Sequence, residues 1–536
     1  MAEGRDHNML VQGTILAVAG IITKIIGFLY RIPMANLLGN VGNGIYSVSF
    51  GIYNIALTLS SCSMPLAVSK LVSARVARDD KGNAKRVFFN ALAFALVMGS
   101  VAALVLYFGA DTLERLYDQP GLAKPLRVLA PTTFVVALLG TFRGWFQGHS
   151  NMVPTALSQI LEQLVNAGVS IFAAWQLMRL HFFDPEVNAY GAAGGTLGTL
   201  AGATAGLLFV GFLFWRTCPR RDNPLVKPES QSLLLRQLIL TVIPVVLSQT
   251  IYQIGYTLDD FVFSNVMAYH HLTRPEVSAL QGVFNTQYNQ LVNLPVAIAT
   301  ALAASSVPGI ITASITGSRK AAHRKITTVL KLNMVVAIPC AIGLAVLAYP
   351  IMHLLFTSLK DKEMLAVHLL QTGSSAAVFY ALSTITTAIL QASDHMITPV
   401  KHCGYSLAIH VALVFLLLRF TPLGVYALII GNVTFPLLIS VLNCRSLSRK
   451  LGYRWRPGRT FGVPLLSSAG MGLVCWSSYG LVTLILPMWV GLLVSLLFSV
   501  LAYGYLILRL HCFSDSQLLD LPLGNRLLRL SKALEE

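Results

Sequence analysis

The chain has 536 residues, of which 55% are hydrophobic and 11% are charged, and its formal net charge is +17. A soluble protein carries about 25% charged residues, so this composition excludes a soluble globular protein and predicts an integral membrane protein. The seven scattered cysteines form no C-x-x-C pair, and no P-loop, H-E-x-x-H or G-x-S-x-G context is present. We therefore expect no enzyme, no metal site and no cofactor.

Apolar stretches of about 20 residues, each long enough to cross a bilayer, recur along nearly the whole chain. They predict an all-α polytopic membrane protein with fourteen transmembrane helices. Lys and Arg concentrate in the loops of one side, which places both termini in the cytoplasm and explains the net charge without a nucleic-acid partner. The predicted spans are 10–33, 42–68, 87–109, 127–148, 155–179, 190–215, 236–264, 279–311, 326–349, 367–392, 400–419, 422–443, 462–484 and 487–509.

The first predicted span contains two cations, Lys24 and Arg31. Seven residues are close to two helical turns, so both side chains project from one face. A charge at the centre of a membrane helix costs roughly 2.5–3.5 kcal/mol on insertion scales. This face is expected to line a wet cavity or to meet an anionic ligand. Alternatively, Arg31 extends to the headgroups and Lys24 pairs with an acid on a neighbouring helix.

Three acids lie inside predicted spans. Glu162, in the fifth span, faces the end of the fourth, and we predict a structural ion pair with Arg143. Asp259 and Asp260 lie in the seventh span, in the segment YTLDDFVFSN. An uncompensated acid is costly there, so these two are expected to meet Lys24, a proton or a sodium ion and to act in ion coupling.

The eighth predicted span carries an unusual set of amides. Asn285, Asn289 and Asn293 recur at i, i+4 spacing, with Gln287 and Gln290 beside them. Unpaired amides facing lipid cost several kcal/mol each, so these side chains either join helices or line a polar cavity. Interhelical hydrogen bonds average only about 0.6 kcal/mol. We favour the cavity, with Asn285, Gln287, Asn289 and Asn293 as substrate-binding residues.

The sequence also contains an internal repeat. FQGHSNMVPT (146–155) and LQASDHMITPV (390–400) share Gln, Met and Pro in order, and IYN (52–54) parallels QYN (287–289). Six helices is an even number, so the two halves are parallel repeats and a substrate site is expected between them. The predicted domains are an N-terminal six-helix lobe (1–220), a C-terminal six-helix lobe (221–445), two additional helices (446–510) and a cytoplasmic amphipathic tail (511–536).

Three segments carry a family resemblance: RGWFQGHSNMVPTALSQILEQLVN (143–166), GFLYRIPMANLLG (27–39) and MPLAVSKLVS (64–73). The chain resembles the polysaccharide-biosynthesis exporters of Gram-positive bacteria, the branch that contains stage V sporulation protein B and the MurJ-type lipid II flippases, within the MATE-like superfamily. The resemblance implies two six-helix lobes around a central cavity that opens alternately to each side. It also implies export of undecaprenyl-pyrophosphate-linked sugars across a bacterial plasma membrane, for use by the cell-wall synthesis machinery.

The resemblance further implies roles for individual residues. Lys24 and Arg31 match two basic positions of the family's first helix and would hold the pyrophosphate, because charge-assisted hydrogen bonds are about twice as strong as neutral ones. Asp259 matches an acid associated with coupling to Na⁺ or H⁺. The acid and amide that help bind sodium in the family's eleventh helix are absent here, and Ser406 and His410 are the only candidates for that role.

The sequence therefore predicts a flippase for a lipid-linked saccharide, such as lipid II or a related spore precursor, that works by alternating access. Its expected partners are this substrate and the surrounding membrane lipids. A cation-coupled MATE-type multidrug exporter is the main alternative and would favour an acid over paired cations in the cavity. A membrane glycosyltransferase or polymerase would need acids in a large outer loop, and the loops near 110–126 and 350–366 are short. A scaffold that transports nothing would leave the buried charges unexplained.

Overall fold

The computed structural model describes residues 2–61, 64–218, 228–315, 319–393, 395, 397–455, 457–519 and 524–533. Every regular element within these residues is a helix, which confirms the all-α class. The elements are α1 (Ala2–Ser60), α2 (Met64–Val76), α3 (Lys81–Leu116), α4 (Ala123–Gly148), α5 (Val153–Leu180), α6 (Val187–Thr217), α7 (Gln231–Tyr269), α8 (Arg274–Gly282), a π-helical turn (Val283–Tyr288), α9 (Asn289–Ile315), α10 (Arg319–Val346), α11 (Ala348–Leu355), a 3₁₀ turn (Lys360–Lys362), α12 (Glu363–Gly373), α13 (Ala376–Ala392), α14 (Ile397–Phe420), α15 (Val425–Leu451), a second π-helical turn (Gly458–Gly462), α16 (Val463–Thr483), α17 (Met488–Arg509), α18 (Asp515–Leu519) and α19 (Gly524–Ala533).

All fourteen predicted spans fall on these helices. By length and apolar composition, nine described helices are able to cross a membrane, or ten if Lys360–Gly373 and Ala376–Ala392, bent by 44°, form one broken span. The chain is therefore a multi-pass membrane protein, and the number fourteen stays a prediction. The bend follows Gly373, whose carbonyl oxygen accepts a hydrogen bond of 2.9 Å from the hydroxyl of Tyr288.

The first two predicted spans are joined without a loop. Helix α1 contains the first span and continues into the second as far as Ser60, and its only non-helical residue is Gly39, with φ 65° and ψ −179°. Glycine adopts a positive φ at little cost because it has no Cβ. Gly39 therefore kinks the chain where the sequence predicts a connection.

Contacts divide the described chain into two compact units, Met1–Thr286 and Gln287–Glu536. The predicted boundary at 220/221 lies outside the described residues, and the helices that follow it, α7 and α8, belong to the first unit. At one end of α7, Arg75 donates a hydrogen bond to Glu229 Oε1 (3.1 Å) and another to Gln237 Oε1 (2.9 Å). Further along α7, the Tyr117 hydroxyl donates a hydrogen bond of 3.4 Å to the carbonyl oxygen of Thr257. These bonds hold α7 in the first unit. The boundary between the two units, at 286/287, therefore lies later in the chain than the predicted boundary.

The second unit includes the segments predicted as additional helices and tail. One of its hydrophobic cores is formed by residues of α9, α10, α13 and α15. Helix α16 approaches α10 closely at Gly472. A Cβ at this position would lie 2.9 Å from Ile342 Cγ2, so a larger residue would not fit without a shift. After α17, Lys331 of α10 donates hydrogen bonds to the carbonyl oxygen of Cys512 (2.7 Å) and to Gln517 Oε1 (3.1 Å). The described residues of 446–510 and the start of the tail therefore pack within this unit, and the predicted division into four domains stays a prediction.

Candidate functional site

The basic face of α1 is accessible. Both Lys24 and Arg31 are exposed, and their seven-residue separation corresponds to about 10 Å along the helix axis. Within the described chain neither side chain forms an ion pair. The alternative in which Lys24 is neutralised by an acid on a neighbouring helix is therefore absent from the described part of the structure.

Two tyrosines flank Arg31. Among the described residues, Tyr30 and Tyr46 lie near its guanidinium, and both tyrosines are 7% exposed. The Tyr30 hydroxyl accepts a hydrogen bond of 3.3 Å from Asn166 of α5. Arg31 thus has hydroxyls and no carboxylate beside it among the described residues, which leaves its charge available to an anion.

Helix α5 presents polar side chains towards α1. A Cβ built on Gly27, midway between the two cations, would lie 3.6 Å from Gln163 Oε1. Asn166 reaches Tyr30, and the Ser170 hydroxyl lies 2.8 Å from Asn166 Oδ1. This stripe is not among the predicted site residues, although its signal is present in the sequence: Gln159, Gln163, Asn166 and Ser170 follow helical spacing within a membrane span.

Arg143 and Glu162 lie close together in the structure. Arg143 Nη2 is 2.7 Å from Glu162 Oε2, and Arg143 Nε donates to the Ser158 hydroxyl at 2.9 Å. Their side chains are 13% and 22% exposed. The pair neutralises Glu162, which is next in sequence to Gln163, so the acid does not compete with an anionic ligand for the nearby cations.

The two acids of α7 are buried, with Asp259 9% and Asp260 6% exposed. Asp260 Oδ1 accepts a hydrogen bond of 2.7 Å from Asn285, and its carbonyl oxygen accepts one of 3.0 Å from Gln281. In the described chain Asp260 forms no ion pair. The structure therefore brings together one predicted coupling acid and one predicted substrate-binding amide.

The amides of the eighth predicted span differ in their local surroundings. Asn285 and Gln287 lie in the π-helical turn, whose hydrogen bonds run from i to i+5 and shift the side-chain register. Gln287 is fully buried, and neither atom of its amide has a hydrogen-bond partner among the described residues. Asn289 accepts a hydrogen bond of 2.9 Å from Asn432, and Asn293 is exposed. The role of these four amides in a substrate site stays a prediction.

Candidate metal ligands are dispersed as well. In the parts of the chain that the structure describes, no three His, Cys, Asp or Glu side chains come together as a possible metal site. Ser406 and His410, the polar residues of the eleventh predicted span, are both buried in α14.

A sequence profile of the family described as "Polysaccharide biosynthesis protein" matches residues 10–314, which is more than half of the chain. The chain belongs to this family. The match contains the basic face of α1, the α5 stripe and both acids of α7.

Three relatives from Bacillus subtilis (strain 168) are similar over most of their length. "Uncharacterized membrane protein YabM" is 26% identical over 546 residues, covering 99% of this chain and 98% of the relative. "Lipid II flippase MurJ" is 26% identical over 402 residues, covering 71% and 72%. "Stage V sporulation protein B" is 25% identical over 445 residues, covering 82% and 84%.

Solved transporters share the fold. An inward-facing multidrug resistance MATE family transporter aligns with a TM-score of 0.66 at 15% identity, covering 81% of this chain and 99% of that one. Lipid II flippase MurJ in an inward closed conformation aligns with a TM-score of 0.65 at 16% identity, covering 93% and 99%. These likenesses, together with the family match, confirm the polytopic transporter fold.

Proposed function

We propose that this protein is a flippase that moves an isoprenoid-pyrophosphate-linked saccharide across a bacterial plasma membrane, with both termini in the cytoplasm. Support comes from the family match and from relatives named as a lipid II flippase and a stage V sporulation protein. The cargo is lipid II or a related cell-wall or spore-cortex precursor, which the cell-wall synthesis machinery then uses. Transport of this kind needs no covalent chemistry.

The observation that carries this proposal is the accessible basic face of α1, where Lys24 and Arg31 lack an ion-pair partner in the described chain. A pyrophosphate offers several acceptor oxygens, to which a lysine ammonium and a planar arginine fork both donate. Gln163 lies beside this face and is placed to bind phosphate or sugar oxygens. The lipid chain stays in the bilayer while the headgroup crosses.

Asp260 provides a candidate for ion coupling. A buried carboxylate without an ion pair in a membrane span is stabilised by a proton or by a bound cation such as Na⁺. Its hydrogen bond from Asn285 links α7 to the π-helical turn. Uptake or release of the cation would strengthen or weaken that hydrogen bond. Binding of the coupling ion would thereby affect the position of the π-helical turn relative to α7.

Replacing Lys24 tests the anion site. Lys24→Ala should lower flipping of lipid II into the outer leaflet by roughly 10- to 150-fold, because a hydrogen bond to a charged group contributes about 1.5–3 kcal/mol. The measurement is exposure of lipid II on the outer face of flippase-depleted cells that express the variant. Lys24→Arg should retain part of the activity, and Lys70→Ala, which removes an exposed cation of α2, serves as the matched control.

Full activity of Lys24→Ala at normal membrane level would contradict the proposed anion site.

The MATE-type multidrug exporter is the second candidate, and the buried carboxylate of Asp260 favours it because many such drugs are cationic. Efflux of ethidium that depends on Asp260 and not on Lys24 would establish that alternative and reject the flippase.

A further inference from the structure

The two tyrosines near Arg31 come from different segments of α1. Tyr30 precedes the kink at Gly39 and Tyr46 follows it, and both lie near the Arg31 guanidinium. Both tyrosines are buried. A phenol hydroxyl is neutral and can accept a hydrogen bond from a guanidinium. These two neighbours are therefore able to orient Arg31 without cancelling its charge.

The Tyr30 hydroxyl is fixed from α5. It accepts a hydrogen bond of 3.3 Å from Asn166 Nδ2. The Ser170 hydroxyl lies 2.8 Å from Asn166 Oδ1 and 2.7 Å from the carbonyl oxygen of Gly195 in α6. Asn166 and Ser170 are both buried, so water does not compete for these contacts. A chain of polar contacts therefore runs from Gly195 to Tyr30 and restricts the position of the Tyr30 hydroxyl.

The Tyr46 ring is fixed by packing at the same position of α6. A Cβ at Gly195 would lie 3.0 Å from Tyr46 Cε2 and 3.3 Å from Tyr46 Cδ2, so the ring comes this close because the residue is a glycine. The Phe50 ring lies 4.7 Å from the Tyr46 ring, measured between centroids. Both tyrosines therefore depend on Gly195, Tyr46 by direct packing and Tyr30 through the two polar side chains of α5.

We propose that Tyr30 and Tyr46 are positioning residues of the anion site, which hold the Arg31 guanidinium towards a pyrophosphate group without neutralising it. This proposal rests on the flippase function above. Arg143 shows the alternative, because its partner at 2.7 Å is the carboxylate of Glu162, which cancels its charge. A guanidinium held by neutral hydroxyls keeps its full charge for the ligand, and a planar fork that is already oriented loses less freedom when the anion binds.

Removal of one hydroxyl tests this role. The full chain in nanodiscs is titrated with farnesyl pyrophosphate, and binding is followed by native mass spectrometry. Tyr46→Phe and Tyr30→Phe should each weaken binding of the probe by about three- to tenfold, because the guanidinium loses a hydrogen-bond acceptor that orients it. In the Arg31→Gln background neither change should weaken binding further, because both tyrosines act through Arg31. Lys24 still binds the pyrophosphate in that background.

Tyr53→Phe is the matched control, because Tyr53 is equally buried in α1 and its charged neighbour is Glu162; its binding should equal that of wild type. If Arg31→Gln weakens the probe but Tyr30→Phe and Tyr46→Phe do not, the positioning role is overturned and the proposed function stands. The same holds if the two changes cause equal losses with and without Arg31, which general damage to the fold would produce. Failure of wild type to bind the probe, or binding that neither Arg31→Gln nor Lys24→Ala weakens, overturns both.

Discussion

Two lysines in membrane-spanning helices of this protein have opposite surroundings. Lys331 of α10 is 4% exposed and donates to the carbonyl oxygen of Cys512 and to Gln517 Oε1. Lys24 of α1 is exposed and forms no ion pair in the described chain. An ammonium group has three donors, and in Lys331 the protein itself occupies two of them. Lys331 therefore stabilises the fold, whereas Lys24 is available to a ligand.

The two arginines of the first unit repeat this contrast. Arg143 donates to Glu162 and Ser158, while Arg31 has the hydroxyls of Tyr30 and Tyr46 beside it. A cation inside a span thus does not by itself indicate a substrate site. The indication is a cation whose partner must come from outside the protein.

The largest expected effect on stability follows from breaking the Arg143–Glu162 pair. Arg143→Met should lower the free energy of unfolding by about 2–4 kcal/mol, because it leaves the carboxylate of Glu162 mostly buried and without its partner. Thermal unfolding in detergent measures the change. The double variant Arg143→Met/Glu162→Gln should regain most of the loss, since no buried charge remains.

The matched control is the ion pair of Arg127 and Asp111, whose side chains are 43% and 57% exposed. Arg127→Met should cost less than about 1 kcal/mol. If Arg127→Met and Arg143→Met lower the free energy of unfolding equally, burial of the Arg143–Glu162 pair does not add to its contribution to stability.

A somewhat smaller loss is expected from Lys331→Met. This change keeps the aliphatic length but leaves the carbonyl oxygen of Cys512 without its donor, at about 1–3 kcal/mol. Lys24→Met should leave the free energy of unfolding within about 0.5 kcal/mol of wild type, because no intramolecular partner is lost. The same unfolding measurement on both variants decides the comparison. A Lys24→Met loss as large as that of Lys331→Met would mean that Lys24 is structural.

The sequence was sufficient for the helices and for which charges lie inside them, because both follow from hydropathy over about 20 residues. It also predicted that Arg143 and Glu162 come together, from their positions at adjoining helix ends. The π-helical turn at Val283–Tyr288 was not predictable in this way, since α-helical spacing was assumed for Asn285 and Asn289. One extra residue in a turn places these amides in different environments.

The position of α7 was also beyond the sequence pattern. The internal repeat assigns it to the second half, but the hydrogen bonds of Arg75 and Tyr117 hold it in the first unit. Repeats report ancestry and orientation, whereas the division into units depends on long-range contacts between side chains. The α5 stripe was missed for a simpler reason: its amides are spaced over three turns and carry no charge.

The smallest expected effect concerns Cys512, which lies after α17 beside Lys331. Burial raises the pKa of its thiol to about 11, against the opposing effect of the Lys331 ammonium, and the residue is fully buried. At pH 7 to 8 the thiol is therefore protonated and shielded, so maleimide should modify it at least tenfold more slowly than Cys218, which is half-buried. Site-resolved mass spectrometry of the full chain measures both rates.

Lys331→Met should accelerate modification of Cys512, because the tail segment loses its two hydrogen bonds from Lys331 of α10. Lys24→Met should leave the rate unchanged. Rapid modification of Cys512 in wild type would mean that Lys331 does not hold the tail, and the contrast between the two lysines would then fail on the structural side.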